Sequence, residues 1–156
     1  MKQEIERKFL LGKLPKDLDR SSGKEILQAY LCCEASREVR IRKKPGSFEL
    51  TVKTGSGVVR SEVNVAISET DFAQLWQLTE GRRLEKIRYH YMYDGNEYEI
   101  DSYKGTLNPL LVAELEFSDE QQAINFVPPD FLGQEISEHA AYKNSSLALA
   151  GMPEVS

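Results

Sequence analysis

The chain has 156 residues, enough for a substantial core in one folding unit, and its 40% hydrophobic and 29% charged residues are ordinary for a soluble protein. With 20 Lys and Arg against 25 Asp and Glu, the net charge is −5, which argues against a non-specific nucleic-acid binder, since those are basic overall. No apolar run approaches the roughly 20 residues that span a bilayer, and charges stand where a secretory leader needs its apolar stretch, so a cytoplasmic protein is expected.

From the N-terminus, Glu4-Ile5-Glu6-Arg7-Lys8-Phe9 reads as a strand: side chains alternate between faces, so Glu4, Glu6 and Lys8 project together and Ile5 and Phe9 point the other way. Asp17 to Gly23 is polar and reads as a loop. Cys32 and Cys33 fall next to each other in a strand; a disulfide between neighbours is strained, so two thiols facing opposite sides are expected. The two-faced pattern then repeats. Glu38, Arg40 and Arg42 oppose Val39 and Ile41, and Glu49, Thr51 and Lys53 oppose Leu50 and Val52. Arg60, Glu62 and Asn64 oppose Val63 and Val65, and Lys86 and Arg88 oppose Ile87 and Tyr89. Glu97, Glu99 and Asp101 oppose Tyr98 and Ile100, and Glu114 and Glu116 alternate with Ala113, Leu115 and Phe117.

Lys44-Pro45-Gly46, Gly55-Ser56-Gly57 and Asp94-Gly95 separate these runs at hairpin distances, which predicts an antiparallel meander with local pairing. Two helices interrupt it. One starts at a Ser68 cap with Asp71 at the capping-box position and carries Phe72, Leu75 and Trp76 at helical spacing. The other starts at Ser118 with Gln121 three residues on, carries Ala123, Ile124 and Phe126 as apolar contacts, and stops before Pro128-Pro129. Trp76 and the apolar stripes are expected to pack against the outside of the sheet. One unit over 1–150 and a tail over 151–156 are expected.

So many two-faced strands make one sheet with one polar face. Left open, that face meets water and both signs of charge are solubilising; closed into a barrel, it becomes a highly charged lumen, which predicts a polyanion and a metal. His90 and His139 have no partner at zinc-ligand spacing, and no glycine-rich Gly-Lys-Ser/Thr loop or Ser/His/Asp arrangement occurs. Carboxylates suit hard divalent ions, and guanidinium groups bind phosphate in a fork, so the two together fit phosphoryl chemistry.

The opening Glu4-Ile5-Glu6-Arg7-Lys8 resembles the ExExK signature of the CYTH proteins, the triphosphate tunnel metalloenzymes. The resemblance continues in family order through Gln28-Ala29-Tyr30-Leu31, Arg40-Ile41-Arg42, Lys53, Glu62, the segment from Glu80 to Lys86, Asp101, Glu114 to Phe117 and Tyr142-Lys143-Asn144. It implies an α+β protein built on an eight-stranded antiparallel closed β-barrel with flanking helices, and Mg2+ or Mn2+ as cofactor. Glu4, Glu6, Asp101, Glu114 and Glu116 become metal ligands. Lys8, Arg40, Arg42, Lys53, Arg60, Lys86, Arg88 and Lys143 become substrate ligands, with Lys8, Glu62 and Arg42 carrying catalysis. Two positions depart from bacterial relatives: Asn64 where a second acid is common, and Ala141 where an arginine is common.

The implied activity is hydrolysis of inorganic triphosphate to pyrophosphate and phosphate. A class IV-type adenylate cyclase, another organic triphosphatase, and a non-catalytic polyphosphate or nucleotide binder are the alternatives. The partner is then a triphosphate-containing small molecule, with neither nucleic acid nor membrane, and a homodimer remains open.

Overall fold

The computed structural model describes residues 2–55 and 59–154. Its strands are β1 (Lys2–Leu10), β2 (Lys24–Glu34), β3 (Arg37–Lys44), β4 (Ser47–Thr54), β5 (Val59–Ala66), β6 (Arg83–Tyr93), β7 (Asn96–Tyr103) and β8 (Leu111–Glu116). All pairings are antiparallel, and they close into an eight-stranded barrel in the order β1-β5-β4-β3-β2-β6-β7-β8. The lumen alternative is therefore the correct one for the charged face.

The strand order corrects the simple meander. Two meanders, β2 to β5 and β6 to β8, are joined through β2 and β6, and β1 closes the barrel between β5 and β8. Residues 2–5 of β1 pair with β5, whereas residues 6–10 pair with β8. Where β5 has diverged, the C-terminal segment takes its place: Leu10 N donates to Gln134 O at 2.9 Å and Ile136 N to Lys8 O at 2.8 Å. Gly133 permits this approach, because a Cβ there would lie 2.7 Å from Leu10 O.

Turn chemistry fixes the registers. Asp94 (φ 50°) and Gly95 (φ 79°) form the two-residue turn between β6 and β7 that their sequence predicts. The expected turn at Gly55-Ser56-Gly57 lies partly outside the described residues. In β2, Leu31 is an extra residue against β3, since Tyr30 pairs with Arg40 and Cys32 with Val39. Both cysteines are free thiols, Cys33 exposed and Cys32 half-buried.

Most apolar side chains point outward and are covered, although Val63 and Val65 of β5 stay exposed. Helix α1 (Glu69–Trp76) is capped by Ser68, whose hydroxyl accepts from Asp71 N at 3.0 Å, and it lays Phe72, Leu75 and Trp76 over Ala29 and Ile41. Helix α2 (Glu120–Asn125) corrects the expected cap: Asp119, not Ser118, accepts from Gln122 N at 2.8 Å, while the Ser118 hydroxyl donates to the Gln122 side chain. Ala123 is buried and Phe126 packs on Phe9 and Phe117, but Ile124 is 72% exposed, so the expected apolar stripe is narrower. Beside this helix Phe9, Tyr89, Tyr91, Tyr98, Ile100 and Leu115 form the largest cluster.

A third helix, α3 (Asn144–Ala150), was not expected. Its Leu147 joins Leu84, Tyr103, Leu107, Val112 and Ile136, so the charged lumen ends in an apolar layer on that side. Among the described residues no helix is long and apolar enough to cross a membrane.

Candidate active site

Cross-strand register decides which lumen charges meet. On β1, β5 and β8, Glu4 sits opposite Arg60, Glu6 opposite Glu116, and Lys8 opposite Glu114. One oxygen from each of Glu4, Glu6 and Glu114 lies within 4.8 Å of the others, with Glu4 and Glu6 buried. Lys8 Nζ is 3.7 Å from Glu114 and 3.9 Å from Glu6, Arg60 donates to Glu6 at 3.0 Å, and Lys53 Nζ is 3.1 Å from Glu4 Oε2 and 3.9 Å from Glu62. Even so, the buried Glu4 Oε2 and Glu6 Oε2 make no hydrogen bond; the lysine lies near Glu4 without suitable geometry.

Burial and the neighbouring charges shift these carboxyls in opposite directions. Burial and the neighbouring Glu6 raise Glu114, whereas Glu6, despite its own burial, is held low by hydrogen bonding to Glu114 and by Lys8. Likewise burial and Glu4 raise Glu62, while at Glu4 burial is opposed by Lys53 together with Arg60, and the net shift is downward. Three clustered carboxylates, two of them with a buried oxygen that makes no hydrogen bond among the described residues, fit a hard divalent ion such as Mg2+ or Mn2+, which takes oxygen ligands.

The facing wall is cationic, and its members differ in how far they are already committed. Arg88 donates from Nε and Nη2 to Asp101 at 2.7 and 2.9 Å and from Nη1 to Glu99 at 2.8 Å, so all three nitrogens are occupied. Lys86, fully buried, donates to the same Asp101 at 2.7 Å. Burial opposes ionisation of Asp101, but Arg88 and Lys86 hold it well below the ordinary carboxylate range. Arg42 uses Nε and Nη2 on a single Glu49 oxygen, at 2.8 and 2.6 Å. Burial, reinforced by Arg40, pushes Lys53 down to about 8.

Arg40 differs from the rest. It is buried (6% exposed), has no ion-pair partner among the described residues, and its Nε has no hydrogen-bond partner. Lys143 is likewise unpaired among the described residues and lines the same cavity, which has a volume of about 230 Å³. Paired and unpaired cations thus share one lumen with the acidic cluster.

Of the sequence-assigned metal ligands, Glu4, Glu6 and Glu114 come together. Glu116 lines the cavity with Glu4 and Glu114, whereas Asp101 does not join the cluster, because both its oxygens are engaged by Lys86 and Arg88. Of the substrate-ligand candidates, Lys8, Arg40, Arg42, Lys53, Arg60, Arg88 and Lys143 line the cavity, as does Glu62; Lys86 lies behind it with Asp101. Asn64 lines it too and accepts a hydrogen bond from Thr51, and Ala141 is exposed outside it.

Sequence reasoning left Glu38, Glu49, Glu97 and Glu99 without roles. Two of the four were recoverable: the Pro45-Gly46 turn sets Lys44 opposite Ser47 and hence Arg42 opposite Glu49, and the Asp94-Gly95 turn brings Arg88 to Asp101 beside Glu99.

The CYTH domain pattern matches residues 2–140. This chain belongs to the CYTH family. The chain is 40% identical over 149 residues to an inorganic triphosphatase of Nitrosomonas europaea, covering 94% of this chain and 97% of that protein. It is 32% identical over 151 residues to an inorganic triphosphatase of Acetivibrio thermocellus, covering 94% of each. A crystal structure of an inorganic triphosphatase superposes with a TM-score of 0.70 at 39% identity, covering 97% of this chain and all of that one.

Proposed function

We propose that this CYTH protein hydrolyses inorganic triphosphate to pyrophosphate and orthophosphate with the help of Mg2+ or Mn2+. The observation that carries the assignment is the pairing of opposite deficits in one lumen. Among the described residues Arg40 is a buried guanidinium with no ion-pair partner, and Glu4 and Glu6 each hold a buried carboxylate oxygen that makes no hydrogen bond. A metal–polyphosphate would satisfy both, since the cations would meet its anionic chain and the acids would hold its metal. Similarity to two proteins named inorganic triphosphatases favours the unsubstituted chain over nucleotides.

In this assignment Glu4, Glu6 and Glu114 hold the metal and Glu116 flanks them; Asp101 instead fixes Lys86 and Arg88 in place. A divalent ion there would neutralise phosphate oxygens and polarise the phosphoryl group under attack. Arg40 and Lys143 bind phosphate without displacing an internal partner, and Arg42, held edge-on by Glu49, adds its remaining N–H groups. Lys8, between Glu6 and Glu114, balances charge as the P–O–P bridge breaks, and Glu62 accepts a hydrogen bond from the attacking water. Most of the catalysis is then positioning and charge stabilisation.

The test is purified protein with Mg2+ or Mn2+ and a panel of tripolyphosphate, ATP and thiamine triphosphate. Orthophosphate release from tripolyphosphate, abolished by EDTA and restored by excess metal, is expected. Undiminished turnover in EDTA, cyclic AMP as the main product of ATP, or binding of tripolyphosphate without turnover would each overturn the assignment.

A further inference from the structure

The family match stops at residue 140, yet the next residues reach the lumen: Lys143 and Asn144 line the cavity. Lys143 is the residue between a 3-10 turn (Ala140–Tyr142) and α3, and its backbone is fixed at both ends. Its N–H donates to Ala140 O at 3.1 Å and its carbonyl accepts from Leu147 N at 2.9 Å. The direction of its side chain therefore follows the placement of the first turn of α3.

Two polar contacts set that turn against the barrel. The Ser145 hydroxyl, on a residue only 6% exposed, donates to Glu38 Oε1 at 2.6 Å, and Tyr103 OH donates to the Asn144 side chain. Glu38 stands on the lumen face of β3 two residues before Arg40 and opposite Lys53. Among the described residues α3 is otherwise held by apolar contact through Leu147 and Ala148, which is non-directional.

We infer that Ser145 and Glu38 are positioning residues that aim Lys143 at the phosphate chain. The inference rests on the triphosphatase assignment. The hydroxyl–carboxylate bond orients the turn, and neither residue needs to touch substrate. A hydrogen bond to a charged acceptor is strong enough to matter, and losing it should weaken binding on the order of tenfold.

The test is a mutant cycle in the full chain, read as KM and kcat for tripolyphosphate with Mg2+ and as Tm. Ser145→Ala should raise KM about tenfold with kcat within about twofold. Ser145→Thr, which keeps the hydroxyl, and Glu38→Gln, which keeps an acceptor, should each lie nearer to wild type than Ser145→Ala does. In a Lys143→Ala background, Ser145→Ala should add almost nothing, since its effect passes through Lys143. A Ser145→Ala effect that persists undiminished without Lys143, or a lowered Tm with unchanged KM, would overturn the inference while leaving the triphosphatase assignment standing. Wild-type protein that neither binds nor hydrolyses tripolyphosphate would overturn both.

Discussion

Arg40→Met should make the unliganded protein more stable and its ligand binding much worse. Among the described residues the side chain is buried without an ion partner and its Nε is unsatisfied, within a wall that also holds Arg42 and Lys53. An unpaired buried charge costs several kcal/mol; because this one borders a polar cavity, we discount its removal to a gain of about 1–3 kcal/mol. For a chain of this size each kcal/mol moves Tm by about 2–4 °C, so a rise of about 2–12 °C is expected. Methionine keeps the length of the stem, so little packing is lost. In the complex, two charge-assisted hydrogen bonds to phosphate at about 1.5 kcal/mol each would disappear, which is an affinity loss of about 150-fold. The first readout is a thermal melt in chelator and a phosphate-free buffer. The second is calorimetric titration with tripolyphosphate, using calcium in place of magnesium. A Tm at or below that of wild type would show that the fold already compensates the guanidinium. Unchanged affinity would remove Arg40 from the phosphate-binding wall.

Glu6→Gln keeps the side-chain volume but removes a carboxylate from the three-acid cluster and an ion partner from Arg60. The kcat should fall by at least about 100-fold, with half-saturation moved to higher Mg2+; wild-type metal dependence in a Mg2+ titration would exclude Glu6 from the metal site. On the outside of the barrel, Arg7 donates to both Glu135 oxygens, at 2.6 and 2.8 Å, and to the carbonyls of Ala123 and Phe126, tying the C-terminal segment to β1. Hydrogen bonding from Arg7 lowers the Glu135 pKa, so its contribution is present above the unfolded pKa of about 4.3 and fades as pH falls through the lower folded value. Glu135→Gln should therefore lower Tm at pH 7 and converge on wild type in strong acid. A difference that stays constant from pH 7 to pH 3 would show that charge plays no part.

Much of this was legible because a strand with charge on every second residue has only two ways to be arranged, and seven such runs in one chain favour closure. The acids of β1 and β8 and the cations of β3 could be named from alternation alone. Closure itself left no local mark: the pairing of β1 with β5 and β8 joins residues far apart in the chain through backbone groups common to every sequence. Helix α3 escaped notice for a related reason. Asn144-Ser145-Ser146-Leu147-Ala148-Leu149-Ala150 is short, has no side-chain cap, and owes its place to the apolar layer at the end of the barrel. The misplaced cap of α2 reflects competition between adjacent residues that can both accept at an N-terminus; the carboxylate of Asp119 took the backbone N–H, and Ser118 turned to the Gln122 side chain.

A barrel that keeps its greasy surface on the outside, under helices and loops, separates what keeps it folded from what it does. Phe9, Tyr98 and Ile100 sit on one side of the sheet and Glu6, Arg40 and Lys53 on the other, so a change of lining need not disturb the packing that holds the strands. Such a scaffold can be retooled from within. Exchanging lumen residues in cross-strand pairs, acid with base together, keeps the internal charge balanced while the chemistry presented to a guest changes. The chain's own Asn64, neutral and linked to Thr51 on the next strand, shows an uncharged pair accommodated among the charged ones.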